Sequence, residues 1–477
     1  MKKTLFSIVI TTLIFISTLS FAASNNQNNM ISSQIDEAIQ HQMPNADIGI
    51  IVIDADSGKL LYQKNSYRAF APASNMKLFI AAAALYQLGP DYQFTTSILV
   101  NPKQLNQNTL NGNLYIKFTG DPSLSIKDLN NLIKKTGIKK INGNVILDNT
   151  RYEKPDYAPG LSYDDTFWAF GAPATAIIIN QNNVFIKLTP NKTLGKMAKV
   201  IPGRYTRFAK FTDHVKTVSN QYADVHCTFN IHTNDNNDIE VSGCWPIQSS
   251  SKNFNIALRN PALFAEKLIA AQLKANQINL TGKIMIREKP KQLKVIAEHK
   301  SHSLKILIKT LLKDSNNIYA ESLTKTLGYD YFKHGNFQTG TEAIKTILLK
   351  KADINFNQSA IFDGAGGSRY DLIQPVQLSR LLYVIYHSPK SSKLFISALP
   401  NSGLDGTLKN RMRSFDLKKY VQAKTGTMMG ISTLSGFLTT KNNHKVIFSI
   451  MINHIVGSPR DARYLQNELC NAMINTL

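Results

Sequence analysis

Acidic residues are scarce in this chain. Its 477 residues carry 32 Asp and Glu against 55 Lys and Arg, a formal charge of +23. Such an excess draws a protein towards polyanions over long range. The Lys residues are scattered and gather into no basic arm or helix, so no nucleic acid partner is expected; the readings left open are a solvated basic surface and, for an exported protein, attraction to an anionic cell-wall polymer or membrane surface. Cysteine is rarer still, with only Cys227, Cys244 and Cys470. No His stands at a spacing from Cys or carboxylates that would close a metal site, so neither a metal nor another cofactor is expected. Beyond residue 23 no apolar run is long enough to span a bilayer. Hydrophobic residues still make up 43% of the chain, which excludes wholesale disorder and supplies cores for two or three domains.

The one long apolar run, Leu5 to Phe21, follows Lys2 and Lys3 and ends at Ala22 and Ala23. That order predicts a cleavable signal peptide over residues 1–22 and a periplasmic or cell-envelope location, with an uncleaved membrane anchor as the alternative. Export permits disulfides. Cys227 and Cys244 flank the polar stretch HTNDNNDIEVSG, whose strand-like sides would close as a hairpin and join the two thiols. Cys470 shares a helix face with Met473 and Ile474, which predicts a buried thiol rather than a nucleophile.

Helical and strand periodicities divide the chain. SSQIDEAIQHQM reads as a helix, ADIGIIVIDADSGKLLYQKN as two strands with a turn at Asp56 to Gly58, and Met76 to Leu88 as a helix apolar on every face, starting at Ser74. From Gln93 to Pro290 short β-rich runs follow, among them GNLYIKF, GNVILDN and ADVHCTFNIH, then the helix PALFAEKLIAAQLKANQ. Helical texture returns from about Val295, with a polar corner at Asp314 to Asn317, and the chain ends in two strands and a helix. A core of residues 23–92 and 295–477, its sheet drawn from both chain ends, with 93–294 inserted as one or two nested domains, is the predicted α/β organisation.

Three short patterns carry chemistry. Ser74 and Lys77 lie three residues apart at the start of the apolar helix, hence on one face, where a desolvated lysine is driven towards the neutral amine that can deprotonate a hydroxyl. The same spacing recurs at Ser249 to Lys252 and Ser322 to Lys325, neither at the start of an apolar helix. Ser315-Asn316-Asn317 occupies the polar corner, where the bland alternative is a helix cap. Lys-Thr-Gly occurs twice. Lys135 to Gly137 closes a helix, with Gly as an ordinary C-cap, whereas Lys424 to Gly426 opens the strand region VQAKTGTMMGISTLSGFL. There Gly426 would admit another backbone or a ligand, Thr425 and Thr427 offer hydroxyls and Lys424 a cation, which suits an extended peptide ending in a carboxylate.

ASNMK, DSNN and KTGT, in this order, together with NLYIKFTGDPSL, FDGAGGSRYDLIQP, LPNSGLDGTLKNRM and GISTLSGFL, resemble the penicillin-binding protein 4 type D-Ala-D-Ala carboxypeptidases and endopeptidases. These are low-molecular-mass class C penicillin-binding proteins of the serine acyltransferase superfamily. The long stretch between Ser74 and Ser315 matches a family with domains inserted between its first two motifs, in which relatives carry a disulfide. The resemblance implies the transpeptidase-type core of serine β-lactamases and DD-peptidases, a central antiparallel sheet with helices. It implies that Ser74 attacks a D-Ala-D-Ala or cross-link peptide bond in peptidoglycan peptides and that Lys77 is the general base. Ser315 would relay a proton to the departing amine, Asn317 would hold Lys77 and the substrate backbone, and Lys424 would bias the site electrostatically. The oxyanion would lie between the amides of Ser74 and Thr427, with Thr425 and Gly426 along the substrate. β-Lactams would be trapped as acyl-enzymes. Asp165, Phe170, Arg369 and Met429 match positions that meet a diaminopimelate side chain in relatives. GAGG at Gly364 to Gly367, in place of the usual Gly-Ser-Gly-Leu, and Met429, at a position polar in some relatives, depart from the pattern. A β-lactamase and a non-catalytic wall-binding scaffold are the alternatives. The former would need a dedicated base at the acyl ester and lacks the long insert; the latter is disfavoured by three intact motifs.

Overall fold

A computed structural model describes residues 29–477; the expected signal peptide and the Ser24-Asn25-Asn26 copy of the corner triplet lie outside them. A five-stranded antiparallel sheet carries the core, in the order Val421–Met428, Ile431–Thr439, Lys445–Asn453, Asp47–Asp54 and Leu60–Lys64. Its strands do come from both ends of the chain. Successive side chains of a strand point to opposite faces, and here both faces are covered. Ile51, Ile53, Ile447 and Met451 pack with the helices Met76–Leu88, Leu304–Lys313, Asn317–Phe332, Phe337–Ala352 and Pro375–Tyr386. Ile50, Val52, Phe448 and Ile450 pack against helical residues 29–42 and the helix Pro459–Thr476. This double burial explains why the strands read as nearly continuous apolar runs.

The helix Met76–Leu88 is buried from Met76 to Leu85, as its unbroken apolarity requires. Ser74, expected at its start, instead sits in a 3-10 turn, Ala73–Asn75, and neither Ser74 nor Asn75 caps the helix with its side chain. The hydroxyl is thus left for other partners.

Residues 95–300 build four further sheets around a separate hydrophobic cluster that includes Ile116, Val145, Ile186, Val241 and Leu268. Two expectations fail here. ADVHCTFNIH is a helix, Asn220–His226, followed by the strand Phe229–Thr233; Ser219 caps the helix through Tyr222 N, a local bond that outweighs the β-branched composition. Lys294–Lys300, taken with the helical region, is a strand paired antiparallel to Thr95–Val100. Cys227 and Cys244 are bonded, with Cα atoms 5.4 Å apart, where Phe229–Thr233 pairs with Ile239–Pro246. Cys470 is buried, and desolvation pushes its thiol up to about 12. Among the described residues no helix is long and apolar enough to cross a membrane.

Candidate active site

The turn that carries Ser74 is wedged between two glycines. Ala73 adopts φ +45°, a conformation that side chains other than glycine's disfavour. A Cβ on Gly366, itself at φ +74°, would lie 1.8 Å from Ala73 O, and one on Gly426 would lie 2.9 Å from Pro72 O and 2.2 Å from Thr433 Oγ1. The backbone admitted by Gly426 is therefore the turn that carries Ser74. The GAGG departure leaves Gly366, the residue this packing requires, in place. Gly426→Ala should push the strand off the turn and slow acylation by a fluorescent penicillin about 100-fold, the scale of a 1 Å misplacement of reacting groups. A stopped-flow rate within twofold of the parent would contradict this.

Lys77 is wholly buried. Its Nζ donates to Ser74 Oγ at 2.9 Å, Asn317 Oδ1 at 2.7 Å and Ala365 O at 2.6 Å. Burial, partly offset by Asp363 and Glu321, lowers its pKa to about 8. A neutral amine has two N–H bonds and one lone pair. With Asn317 and Ala365 taking the hydrogens, the lone pair faces the Ser74 hydroxyl.

At the corner between two helices the roles divide. Asn316 is the cap of Asn317–Phe332, accepting from Tyr319 N, so the bland reading holds for that residue alone. Ser315, at φ +57°, turns its hydroxyl to Lys424 Nζ at 2.8 Å. Asn317 Nδ2 donates to Phe170 O at 2.8 Å while its Oδ1 holds Lys77. Lys424 is also wholly buried and donates to Thr425 O at 2.7 Å. Burial, aided by the charge of Lys77, holds it well below the usual lysine range, so charging Lys424 calls for a nearby anion. The other copies form no such group. Gly137, at φ +67°, follows the end of the helix Ile126–Lys135. Ser322 and Lys325 are buried, but Ser322 donates to Gly120 O, and Lys325 donates to Glu153 O at 2.9 Å and Pro155 O at 2.7 Å.

Val421–Met428 is the edge strand of the sheet. Thr425 Oγ1 lies 2.7 Å from Thr407 Oγ1, Gly426 is buried and Thr427 exposed. Met428 packs against Ala71, Ala73 and Ile431, whereas Met429 is 85% exposed and its carbonyl accepts from Arg369 Nη1 at 3.0 Å. Burial raises the pKa of Asp165, and Arg369 opposes the shift. Phe170 has an exposed ring. Sequence reasoning missed several participants. Thr407 lies in the 3-10 turn Gly406–Leu408, beside Asp405, which pairs with Lys313 Nζ at 2.6 Å. Gln181, in the left-handed run Asn180 to Asn182, accepts from Asn316 Nδ2 at 2.7 Å, and Asp363, Ala365 and Glu321 surround Lys77. Asp363, Ala365 and Thr407 do lie in FDGAGG and LDGTLK, but nothing local in either stretch marks its partner.

The D-Ala-D-Ala carboxypeptidase 3 (S13) family matches residues 31–473. D-alanyl-D-alanine carboxypeptidase DacB of Haemophilus influenzae is 33% identical over 447 residues, 92% of this chain and 91% of its own. The crystal structure of penicillin binding protein 4 (dacB) from Haemophilus influenzae superposes with a TM-score of 0.83 at 32% identity, over 91% of this chain and 97% of that one. The same protein complexed with a β-lactam gives 0.78 at 31%, over 92% and 99%. With its motifs converging on one buried lysine and a family match spanning nearly all of its length, this chain belongs to the D-Ala-D-Ala carboxypeptidase 3 (S13) family.

Proposed function

We propose that Ser74 is the nucleophile and Lys77 the general base with which this D-Ala-D-Ala carboxypeptidase acts on peptidoglycan peptides in the cell envelope. The supporting observation is the 2.9 Å contact between Lys77 Nζ and Ser74 Oγ, made by a lysine whose remaining partners are acceptors. Ser74 Oγ bonds to the carbonyl carbon as its proton passes to Lys77. The oxyanion accepts from the backbone amides of Ser74 and Thr427, a type of donor pair in which losing one donor costs about 3 to 4 kcal/mol. The C–N bond breaks as the proton taken up by Lys77 passes through the Ser315 hydroxyl, which Lys424 contacts, to the departing amine. Water then loses a proton to Lys77 and attacks the ester, and Ser74 departs taking that proton back from Lys77. The substrate extends along Thr425 to Thr427, and its terminal carboxylate supplies the anion that favours the charged form of Lys424, near the hydroxyls of Thr425 and Thr407.

A diaminopimelate side chain carries an ammonium and a carboxylate. Asp165 suits the first and Arg369 the second, with Phe170 and Met429 as exposed apolar neighbours. Residues 95–300 act as a nested unit that reaches the cleft through Phe170 and Gln181. The basic chain and its N-terminal targeting pattern fit an exported enzyme drawn to anionic wall or membrane surface. The complex of the Haemophilus influenzae relative with a β-lactam supports these drugs as acylating inhibitors here too.

Digestion of purified peptidoglycan and of a pentapeptide should release free D-Ala and lower the cross-linked dimers. A folded protein that does neither would overturn the assignment, and rapid nitrocefin turnover would reassign it as a β-lactamase.

A further inference from the structure

Below Lys77 lies a group of carboxyls with no part in the chemistry described so far. Asp363 and Asp371 are both 0% exposed. The Asp363 carboxylate accepts from three successive amides, Gly366 N at 2.5 Å on Oδ1, and Gly367 N at 2.8 Å and Ser368 N at 2.7 Å on Oδ2. These bonds fold residues 363–368 into a tight turn that directs the Ala365 carbonyl at Lys77 Nζ, 2.6 Å away. Glu321 Oε2 accepts from Gly364 N in the same turn. The turn's other side is closed by the Gly366 contact with Ala73 O, so one carboxylate organises the surroundings of both Ser74 and Lys77.

Asp371 completes the group. Its Oδ1 accepts from Phe362 N at 2.7 Å, while its Oδ2 is buried without an ordinary donor and meets the Asp363 carboxyl. Two carboxylates cannot share such a contact unless one carries a proton. Burial first, and Asp363 second, drive the pKa of Asp371 well up, the direction in which Asp371 keeps a shared proton.

We propose that Asp363 is a positioning residue for the catalytic lysine, aiming the Ala365 carbonyl at Lys77 and supplying the anion that sets when Lys77 can accept a proton. The inference rests on the reading of Lys77 as general base. Every charged or polar group facing Lys77 enters it: Ser74 from its own turn, Asn317 and Glu321 from the helix Asn317–Phe332, Asp363 with Asp371 behind it, and Lys424 from the edge strand. An anion beside an amine favours its protonated form. Neutralising Asp363 therefore lets Lys77 lose its proton at lower pH.

The test is the acylation rate of the full chain by a fluorescent penicillin from pH 5.5 to 10, normalised to folded protein. Asp363→Asn should lower the alkaline plateau at least tenfold and move the acid limb to lower pH, with the KM for a pentapeptide changed less than twofold. Asp363→Glu keeps the charge and lengthens the arm, so its plateau should fall while its limb stays. A role in folding alone would move neither limb. On the parent chain, carboxyl 13C resonances should show one buried Asp holding its proton well above the usual carboxylate range. An unmoved limb in Asp363→Asn, a parental plateau in Asp363→Glu, or two ionised carboxylates would each overturn the proposal. If Lys77→Ala acylates like the parent, the base assignment itself fails; if it is inactive while the limb in Asp363→Asn stays put, only the role of Asp363 falls.

Discussion

Ser74→Ala should take up no labelled penicillin and release no D-Ala, a loss on the order of 10⁶-fold, as when a serine nucleophile is removed from a preorganised site. The oxyanion donors remain but have no acyl ester to act on. The fold should survive, because the Ser74 side chain caps no helix and Lys77 keeps Asn317 and Ala365 as acceptors. The measurement is gel fluorescence after penicillin labelling, beside a thermal melt. A labelled Ser74→Ala protein would mean that another residue is the nucleophile.

The second large effect concerns Lys77. Lys77→Ala should slow acylation by roughly 10² to 10⁴-fold, the contribution of a positioned general base. The substitution also strips a donor from the buried oxygens of Asn317 and Ala365, at about 1–3 kcal/mol for each group left unpaired, so its melting temperature should drop as well. The pH profile of the parent isolates the chemical role. Lys77 must be neutral to take the Ser74 proton, and its pKa is lowered to about 8 by burial, against Asp363 and Glu321. The rate constant for acylation should thus climb about tenfold per pH unit below that value and level off above it. An acid limb near 10, the range of an unperturbed lysine, would mean that burial does not tune this group.

Residue order carried much of this molecule. The apolar run from Met76 to Leu88 declares a buried helix, and a lysine at its start has few choices in such surroundings except to pair or to discharge. Helix and strand periods separated Lys135 from Lys424, because a glycine after DLNNLIKK ends a helix while VQAKTGT continues as a strand. Local reading failed where a single cap decided the outcome, as at Ser219, or where a distant strand recruited its partner, as Thr95–Val100 does Lys294–Lys300.

Burial alone would not have chosen between the Ser-x-x-Lys copies. Lys325 is as deeply buried as Lys77, and burial likewise lowers its pKa to about 8. Its neighbours are carbonyls of a crossing segment, so it ties two parts of the chain together. The sequence by itself determined the buried helix Met76–Leu88, the core strands at both ends of the chain, and which three motifs stand in family order. Only the tertiary structure decided that Ser315 meets Lys424, that Asn317 meets both Lys77 and Phe170, and that Asp363 stands near Lys77. Helix and strand periods are properties of neighbours along the chain, whereas these contacts join residues far apart in it and exist only once the sheet and helices have packed.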